Sequence, residues 1–154
     1  MKEVKALEGV ARFHKVFKHP IEQDPIIPSK KRCDLRVELI QEELNELKQA
    51  IADDDLVEVA DALCDIQYVL AGAVLEFGLG NKFSDLFGEV QRSNMSKSCA
   101  TEEEAKATVD NYSNQGVEAY YTGLEGEYLV YRKSDNKTLK SVKYSPANLK
   151  KFLE

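Results

Sequence analysis

Apolar residues recur at three- and four-residue steps over the first hundred positions, which is the period of amphipathic helices. A stripe from Val4 to Phe17 predicts a first helix, and His14 on that stripe is expected to be a buried core histidine. Three prolines between positions 19 and 29 predict an extended loop. The pattern then predicts helices over about 31–52 and 56–77, with Asp54 or Asp55 in the intervening turn as the cap of the second.

The second half of the chain changes from a helical to a strand pattern. A helix is predicted from Ser84 to about Asn94, and a Thr-x-x-Glu capping box at Thr101 opens another that ends near Ser113. Three segments at 117–122, 127–133 and 138–144 are rich in Tyr, Val and Thr and are separated by turn residues, which predicts a small antiparallel meander. A short closing helix is expected to begin at Ser145 and Pro146. The expected fold class is mainly α.

Length and composition describe a globular protein with a small appendage. The chain has 154 residues, of which 43% are hydrophobic and 31% charged. We place a domain boundary near residue 100, between a helical domain at 1–100 and an accessory extension of one helix and the meander at 101–154.

Charge and cysteine usage exclude several classes of partner. The net charge of −6 argues against nucleic acid, because a broad basic surface is needed to displace counterions. The longest apolar stretch, Val69–Leu75, is too short to cross a bilayer, so no membrane partner is expected. Cys33, Cys64 and Cys99 have no CxxC spacing, which favours reduced thiols in a cytoplasmic protein.

Three carboxylates lie on the apolar side of the second predicted helix. At about 100° per residue, Glu42, Glu43 and Glu46 share one arc with Leu35 and Leu39. Acids normally occupy the face opposite the leucines. These three therefore line a cleft or gather around a positive group.

The third predicted helix repeats the arrangement, with Glu58, Asp61 and Asp65 on one narrow arc. Two facing helices would bring six carboxylates together and raise their pKa values, a conflict that Mg²⁺ or Mn²⁺ would relieve. Two alternatives stay open at this point. The acids can form ordinary solvated faces, and Asp65 can instead bond a neighbouring arginine or tyrosine.

These residues resemble the MazG-like all-α nucleotide pyrophosphohydrolase superfamily, in its phosphoribosyl-ATP-pyrophosphohydrolase-like branch. Its motif, Glu-Glu-x-x-Glu followed by Glu-x-x-Asp, stands here at residues 42–46 and 58–61. Segments 17–21, 60–69 and 89–97 look like the matching flanking blocks. The resemblance covers residues 1 to about 97 and leaves the extension without a role.

The resemblance implies a bundle of four to five helices and magnesium-dependent hydrolysis of a nucleoside or deoxynucleoside triphosphate to the monophosphate and pyrophosphate. It implies Mg²⁺, with Mn²⁺ as a substitute, on Glu42, Glu43, Glu46, Glu58 and Asp61, with Asp65 as an additional acid. Glu43 and Glu46 become the catalytic candidates that orient or deprotonate the attacking water. Asn94, Lys97 and Arg92 become candidates for substrate binding.

The resemblance also implies a homodimer or homotetramer with sites at subunit interfaces. Two other functions stay open. One is hydrolysis of phosphoribosyl-ATP, which would use the same acids. The other is a non-catalytic module for nucleotide sensing or oligomerisation.

Overall fold

The computed structural model describes residues 2–154 and confirms a mainly helical fold. This part of the chain forms six helices and two strands. In chain order they are α1 Ala6–Phe17, α2 Lys30–Ala52, α3 Leu56–Glu76, α4 Phe83–Met95, α5 Glu102–Ser113, β1 Ala119–Leu124, β2 Glu127–Arg132 and α6 Lys150–Leu153.

The chain divides into two compact units, the first ending at Phe83 and the second running from Ser84 to Glu154. This division by packing falls at the start of α4, directly after its first residue, Phe83. The boundary predicted near residue 100 separates the family-like region from the extension, which is a different division, and it stays a prediction.

Helices α2 and α3 form a tightly joined pair at the centre of the first unit, and α1 packs on α3. Asp55 begins α3, because its carboxylate accepts the amide hydrogens of Val57 and Glu58 at 2.9 and 3.2 Å. Asp54 adopts a left-handed backbone with φ of 54°, which Asp tolerates better than most residues. The aspartate turn therefore fixes how the two acidic helices meet.

The proline-rich loop is anchored to the end of α3. The amide of Glu22 donates to the Leu75 carbonyl and that of Ile26 to the Phe77 carbonyl, both at 3.0 Å. Gly78 follows the helix with φ of +66°, and a Cβ there would lie 1.9 Å from the Asp24 carbonyl oxygen. Only glycine fits this close approach. The loop closes over a core built on Val10, Ala71 and Leu75.

The second unit has its own core, made of Cys99, Ala105, Ala119, Val130 and Leu139. Strands β1 and β2 pair antiparallel, with Ala119 opposite Arg132 and Leu124 opposite Glu127. The turn residues Glu125 and Gly126 both have positive φ, as a two-residue hairpin loop requires.

The sheet has two strands, because the expected third strand at 138–144 does not form. Thr138 makes an isolated bridge to Tyr131, and the Leu139 amide bonds the Val130 carbonyl at 2.8 Å. The chain then leaves the sheet, since the Val142 amide donates to the Thr108 hydroxyl at 3.1 Å. The closing helix forms later than expected, at Lys150 instead of Ser145.

Among the helices of the described residues, none is both long and apolar enough to cross a membrane.

Candidate active site

The two acidic stripes lie on the packed pair of helices, with Glu42, Glu43 and Glu46 on α2 and Glu58, Asp61 and Asp65 on α3. Their exposure differs along the pair. Glu43 and Asp65 are half-buried, whereas the other four acids are exposed. Glu43 and Asp65 are thus the two acids partly withdrawn from water.

Glu43 is held in an unfavourable environment for a carboxylate. Its Oε2 atom is buried and has no hydrogen-bond partner among residues 2–154. Burial raises the pKa of Glu43, and the nearby charges of Glu46, Asp65, Glu42 and Asp61 raise it further. Because Asp61 and Asp65 belong to α3, the structure brings acids of both helices around Glu43.

The side chains are near one another without forming a closed cage. Within the described chain, no three acidic, histidine or cysteine side chains come close enough to hold a metal ion. The residues nevertheless fit a hard divalent cation in two respects. Every donor is a carboxylate oxygen, and one buried oxygen of Glu43 has no hydrogen-bond partner in the described part of the chain. None of the six acids belongs to a metal-holding group in the part of the chain that the structure describes.

A pocket of about 240 Å³ lies in the first unit and continues the same helix faces. Leu35 and Leu39 of α2 line it, together with Val69 of α3. Leu39 precedes Glu43 by four residues and Val69 follows Asp65 by four, about one helical turn in each case. The pocket therefore adjoins the acids.

Arg32 and Arg36, two members of a buried ionic cluster, form one wall of this pocket. The Glu76 carboxylate, 1% exposed, accepts hydrogen bonds from Arg32 and Arg36. Burial alone would raise the pKa of Glu76, but the hydrogen bonds from the two arginines outweigh it and hold the pKa below its ordinary value. The cluster is ionised and carries a net positive charge.

His14 completes this wall and is the buried core histidine that the sequence predicts. Its Nδ1 lies 2.7 Å from the Pro20 carbonyl oxygen, and its Nε2 lies 3.2 Å from Nη2 of Arg36. Burial lowers the pKa of His14, and the Arg36 charge adds to this effect. A neutral imidazole protonated on Nδ1 satisfies both contacts.

Gly72 gives the cluster its room. A Cβ at this position of α3 would lie 2.6 Å from Nη1 of Arg36 and 3.2 Å from Nε2 of His14. The absent side chain lets the Arg36 guanidinium lie directly against the backbone of α3.

Arg92, Asn94 and Lys97 are in the second unit, each bonded to near neighbours. The Arg92 guanidinium pairs with Glu89 at 2.9 Å and donates to the Pro146 carbonyl at 3.1 Å. Lys97 Nζ donates to the Asn94 side-chain oxygen at 2.7 Å. Arg92 is thus engaged in holding the C-terminal segment, and a role for all three in substrate binding stays a prediction.

Comparison with known proteins adds a family to this geometry. The sequence model described as phosphoribosyl-ATP pyrophosphohydrolase matches residues 10–94, more than half of the chain. The chain belongs to the phosphoribosyl-ATP pyrophosphohydrolase family. This confirms the predicted superfamily and supports a nucleotide pyrophosphohydrolase activity. An uncharacterised protein of Acanthamoeba polyphaga mimivirus is 24% identical across 96% of this chain and 95% of its own length.

The region shared with the phosphoribosyl-ATP pyrophosphohydrolase family contains all six acids and the pocket. It ends at Asn94, before Lys97. The match therefore covers the part of the chain that carries the candidate chemistry.

Sequence reasoning missed two residues that line this family member's pocket, Arg32 and Arg36, and their buried partner Glu76. A signal was available, because Glu76 directly follows the apolar stretch that ends at Leu75. A charge in such a stretch needs a buried partner. Which arginines supply it depends on contacts forty or more residues apart in sequence.

Proposed function

We propose that the chain hydrolyses a nucleoside or deoxynucleoside triphosphate, releasing the nucleoside monophosphate and pyrophosphate. Membership of a pyrophosphohydrolase family supports the reaction class. The proposed role is removal of unwanted nucleotides from the cellular pool.

The observation that carries the proposal is the environment of Glu43. A half-buried carboxylate is costly for a fold to keep when it has four acidic neighbours and one oxygen without a partner among the described residues. Such an arrangement is explained if a cation and a phosphate chain bind beside it. The adjoining pocket supplies space for the rest of a nucleotide.

Glu42, Glu43, Glu46, Glu58 and Asp61 would hold Mg²⁺, with Mn²⁺ as a substitute. A bound ion of this kind neutralises charge on phosphate oxygens. The carboxylate of Glu43 or Glu46 would orient a water molecule and accept its proton. The water oxygen forms a bond to the α-phosphorus while the bond to the bridging oxygen breaks, so pyrophosphate leaves.

We further propose that the active form is a homodimer or homotetramer. Apolar side chains stand exposed at seven-residue spacing on both acidic helices. On α2, Val37, Leu44 and Ile51 are 68%, 38% and 62% exposed, and on α3, Leu56, Leu63 and Leu70 are 80%, 52% and 40% exposed. Stripes of this kind favour helix packing against another subunit.

Phosphoribosyl-ATP is a second candidate substrate, since the matching family carries its name. Its cleavage also releases pyrophosphate from a nucleoside triphosphate and would use the same acids. The two candidates differ in the group attached to the nucleotide, which only a direct assay separates.

Pyrophosphate release from a panel of ribo- and deoxyribonucleoside triphosphates and phosphoribosyl-ATP, with Mg²⁺ and with EDTA, tests the proposal. We expect release from at least one compound with Mg²⁺ and none with EDTA. Glu43→Gln should lower kcat at least a hundredfold, as expected for loss of a group that acts on the water. It should leave the helical circular dichroism unchanged, because it removes charge and not packing volume.

Glu103→Gln is the matched control, because Glu103 is exposed on α5 and lies outside the family-matched residues. Its activity should equal that of the wild type. Activity retained by Glu43→Gln would refute the role of that residue. Nucleotide binding without pyrophosphate release from any compound would favour the non-catalytic sensing module.

A further inference from the structure

The wall of the pocket beside the acids offers hydrogen-bond donors and almost no free acceptors. Both oxygens of Glu76 accept from arginine, with Arg32 Nε on one of them at 3.0 Å. Both ring nitrogens of His14 are likewise engaged. The acceptors of this buried cluster are therefore occupied before any ligand arrives.

Arg32 is the member of the cluster that faces outward. Its side chain is 28% exposed, against 8% for Arg36 and 1% for Glu76. Nε and Nη2 of Arg32 are committed to Glu76, and its Nη1 group donates to no residue that the structure describes. A fixed guanidinium with one edge free is suited to a planar ligand carrying acceptor atoms.

The remaining walls suit a flat ring. Phe13 and His19 are stacked with ring centroids 5.7 Å apart and planes inclined by 11°. Tyr68 meets Phe13 edge-on, also at 5.7 Å. Both His19 and Tyr68 are exposed, so their polar atoms can bond water at the rim. Leu35 and Leu39, which also line the pocket, offer only apolar surface.

We propose that this pocket selects its nucleotide by carbonyl oxygens on the base, with Arg32 as the specificity-determining residue. The inference rests on the proposed function and names the substrate class within it. At C4 of the pyrimidine ring or C6 of the purine ring, uracil, thymine, guanine and hypoxanthine carry such an oxygen. Cytosine and adenine present an amino group at the equivalent position, where it would face the guanidinium and leave donors on both sides unpaired.

Glu76 and Gly72 act as positioning residues in this arrangement. Glu76 fixes two guanidinium groups with one carboxylate, and Gly72 admits Arg36 against α3. Arg36 in turn keeps the His14 imidazole in place at 3.2 Å. The orientation of Arg32 is thus set before binding, which increases the discrimination that a single hydrogen bond provides.

The test compares two pairs of triphosphates that differ by one exchange of carbonyl for amino group, UTP with CTP and ITP with ATP. We expect kcat/KM to favour UTP and ITP by about tenfold to a hundredfold, the range for a hydrogen bond to a charged group. Arg32→Met should reduce each preference to less than about threefold. Arg12→Met is the matched control, since Arg12 is exposed on α1 and does not line this pocket.

Binding is measured separately, so that failure of catalysis is not mistaken for failure of selectivity. NMR titrations with UMP, CMP, IMP and AMP should show the same order of affinity and the same loss in Arg32→Met. Turnover without any preference within the pairs would overturn this inference and leave the pyrophosphohydrolase proposal standing. Selective binding without turnover would support this inference and overturn the pyrophosphohydrolase proposal. Binding of none of the four monophosphates would overturn the inference.

Arg32→Lys, which keeps the charge and loses the planar fork, should retain the thermal stability better than Arg32→Met and still lose selectivity.

Discussion

At the scale of single residues, Glu76 is the side chain on which the first unit depends most. It is 1% exposed and holds two arginines, so its removal leaves buried positive charge without compensation. We expect Glu76→Gln to lower the free energy of unfolding by about 3–5 kcal/mol, the cost of breaking a buried pair from one side. Urea denaturation measures this change.

The comparison for that variant is Glu38→Gln on α2, which is exposed. Its free energy of unfolding should stay within about 0.5 kcal/mol of the wild type. If the two substitutions had equal effects, the buried cluster would have no special part in stability.

Single residues also mark the limit of what the sequence predicts about the site. Glu42, Glu43 and Glu46 were predicted as site residues because helical spacing alone places them on one arc. That spacing does not say how deeply each side chain is buried, so it did not distinguish half-buried Glu43 from exposed Glu42. The difference arises from the packing of α3 against α2, which is a property of tertiary structure.

At the scale of elements, helices α1 to α5 were predictable to within a few residues, and the starts of α3 and α5 have a local cause in the sequence. The Asp55 cap and the Thr101 cap both accept amide hydrogens of the first turn, as their sequence context predicts. The predicted third strand of the meander does not form, because contacts distant in sequence decide where its residues bond. Its residues have strand propensity, but the Thr108 hydroxyl and the Lys97 carbonyl, both distant in sequence, bond the amides of Val142 and Ser141.

The C-terminal segment of the second unit is fastened to α4 through Glu89. This carboxylate accepts from the Asn148 amide at 2.8 Å, from Arg92 at 2.9 Å and from Lys151 at 3.3 Å. The Arg92 guanidinium is the largest cause that lowers the pKa of Glu89, to about 2 from an ordinary 4.5. Because the folded pKa is the lower one, this attachment stabilises the fold above about pH 4.5 and is lost as pH falls towards 2.

We therefore expect Glu89→Gln to lower Tm relative to the wild type at pH 7, and the difference to shrink between pH 4.5 and pH 2. Thermal unfolding followed by circular dichroism at several pH values measures it. Glu127→Gln, at an exposed position of β2, should show no such pH-dependent difference. A difference in Tm that stayed constant down to pH 2 would mean that the Glu89 charge does not hold the segment.

At the scale of the whole molecule, the question is how many chains make one site. The acids of the described chain surround Glu43 without closing into a metal-holding group. The same two helices expose apolar stripes that a lone domain would normally bury. Both facts are explained together if a second copy packs on α2 and α3 and restricts the motion of the exposed carboxylate side chains.

This explanation predicts that charge on the stripe dissociates the assembly and reduces activity together. Light scattering after size-exclusion chromatography should measure a wild-type mass of two or four times the chain mass of 17.4 kDa. The double substitution Leu56→Lys and Leu63→Lys should give a single chain mass, because two lysines cannot be buried unpaired in an apolar interface. Ile27→Lys, at an 81% exposed loop position, is the control and should leave the mass unchanged. A fully active monomeric double variant would show that one chain suffices, and the half-buried Glu43 would then have to be explained within a single subunit.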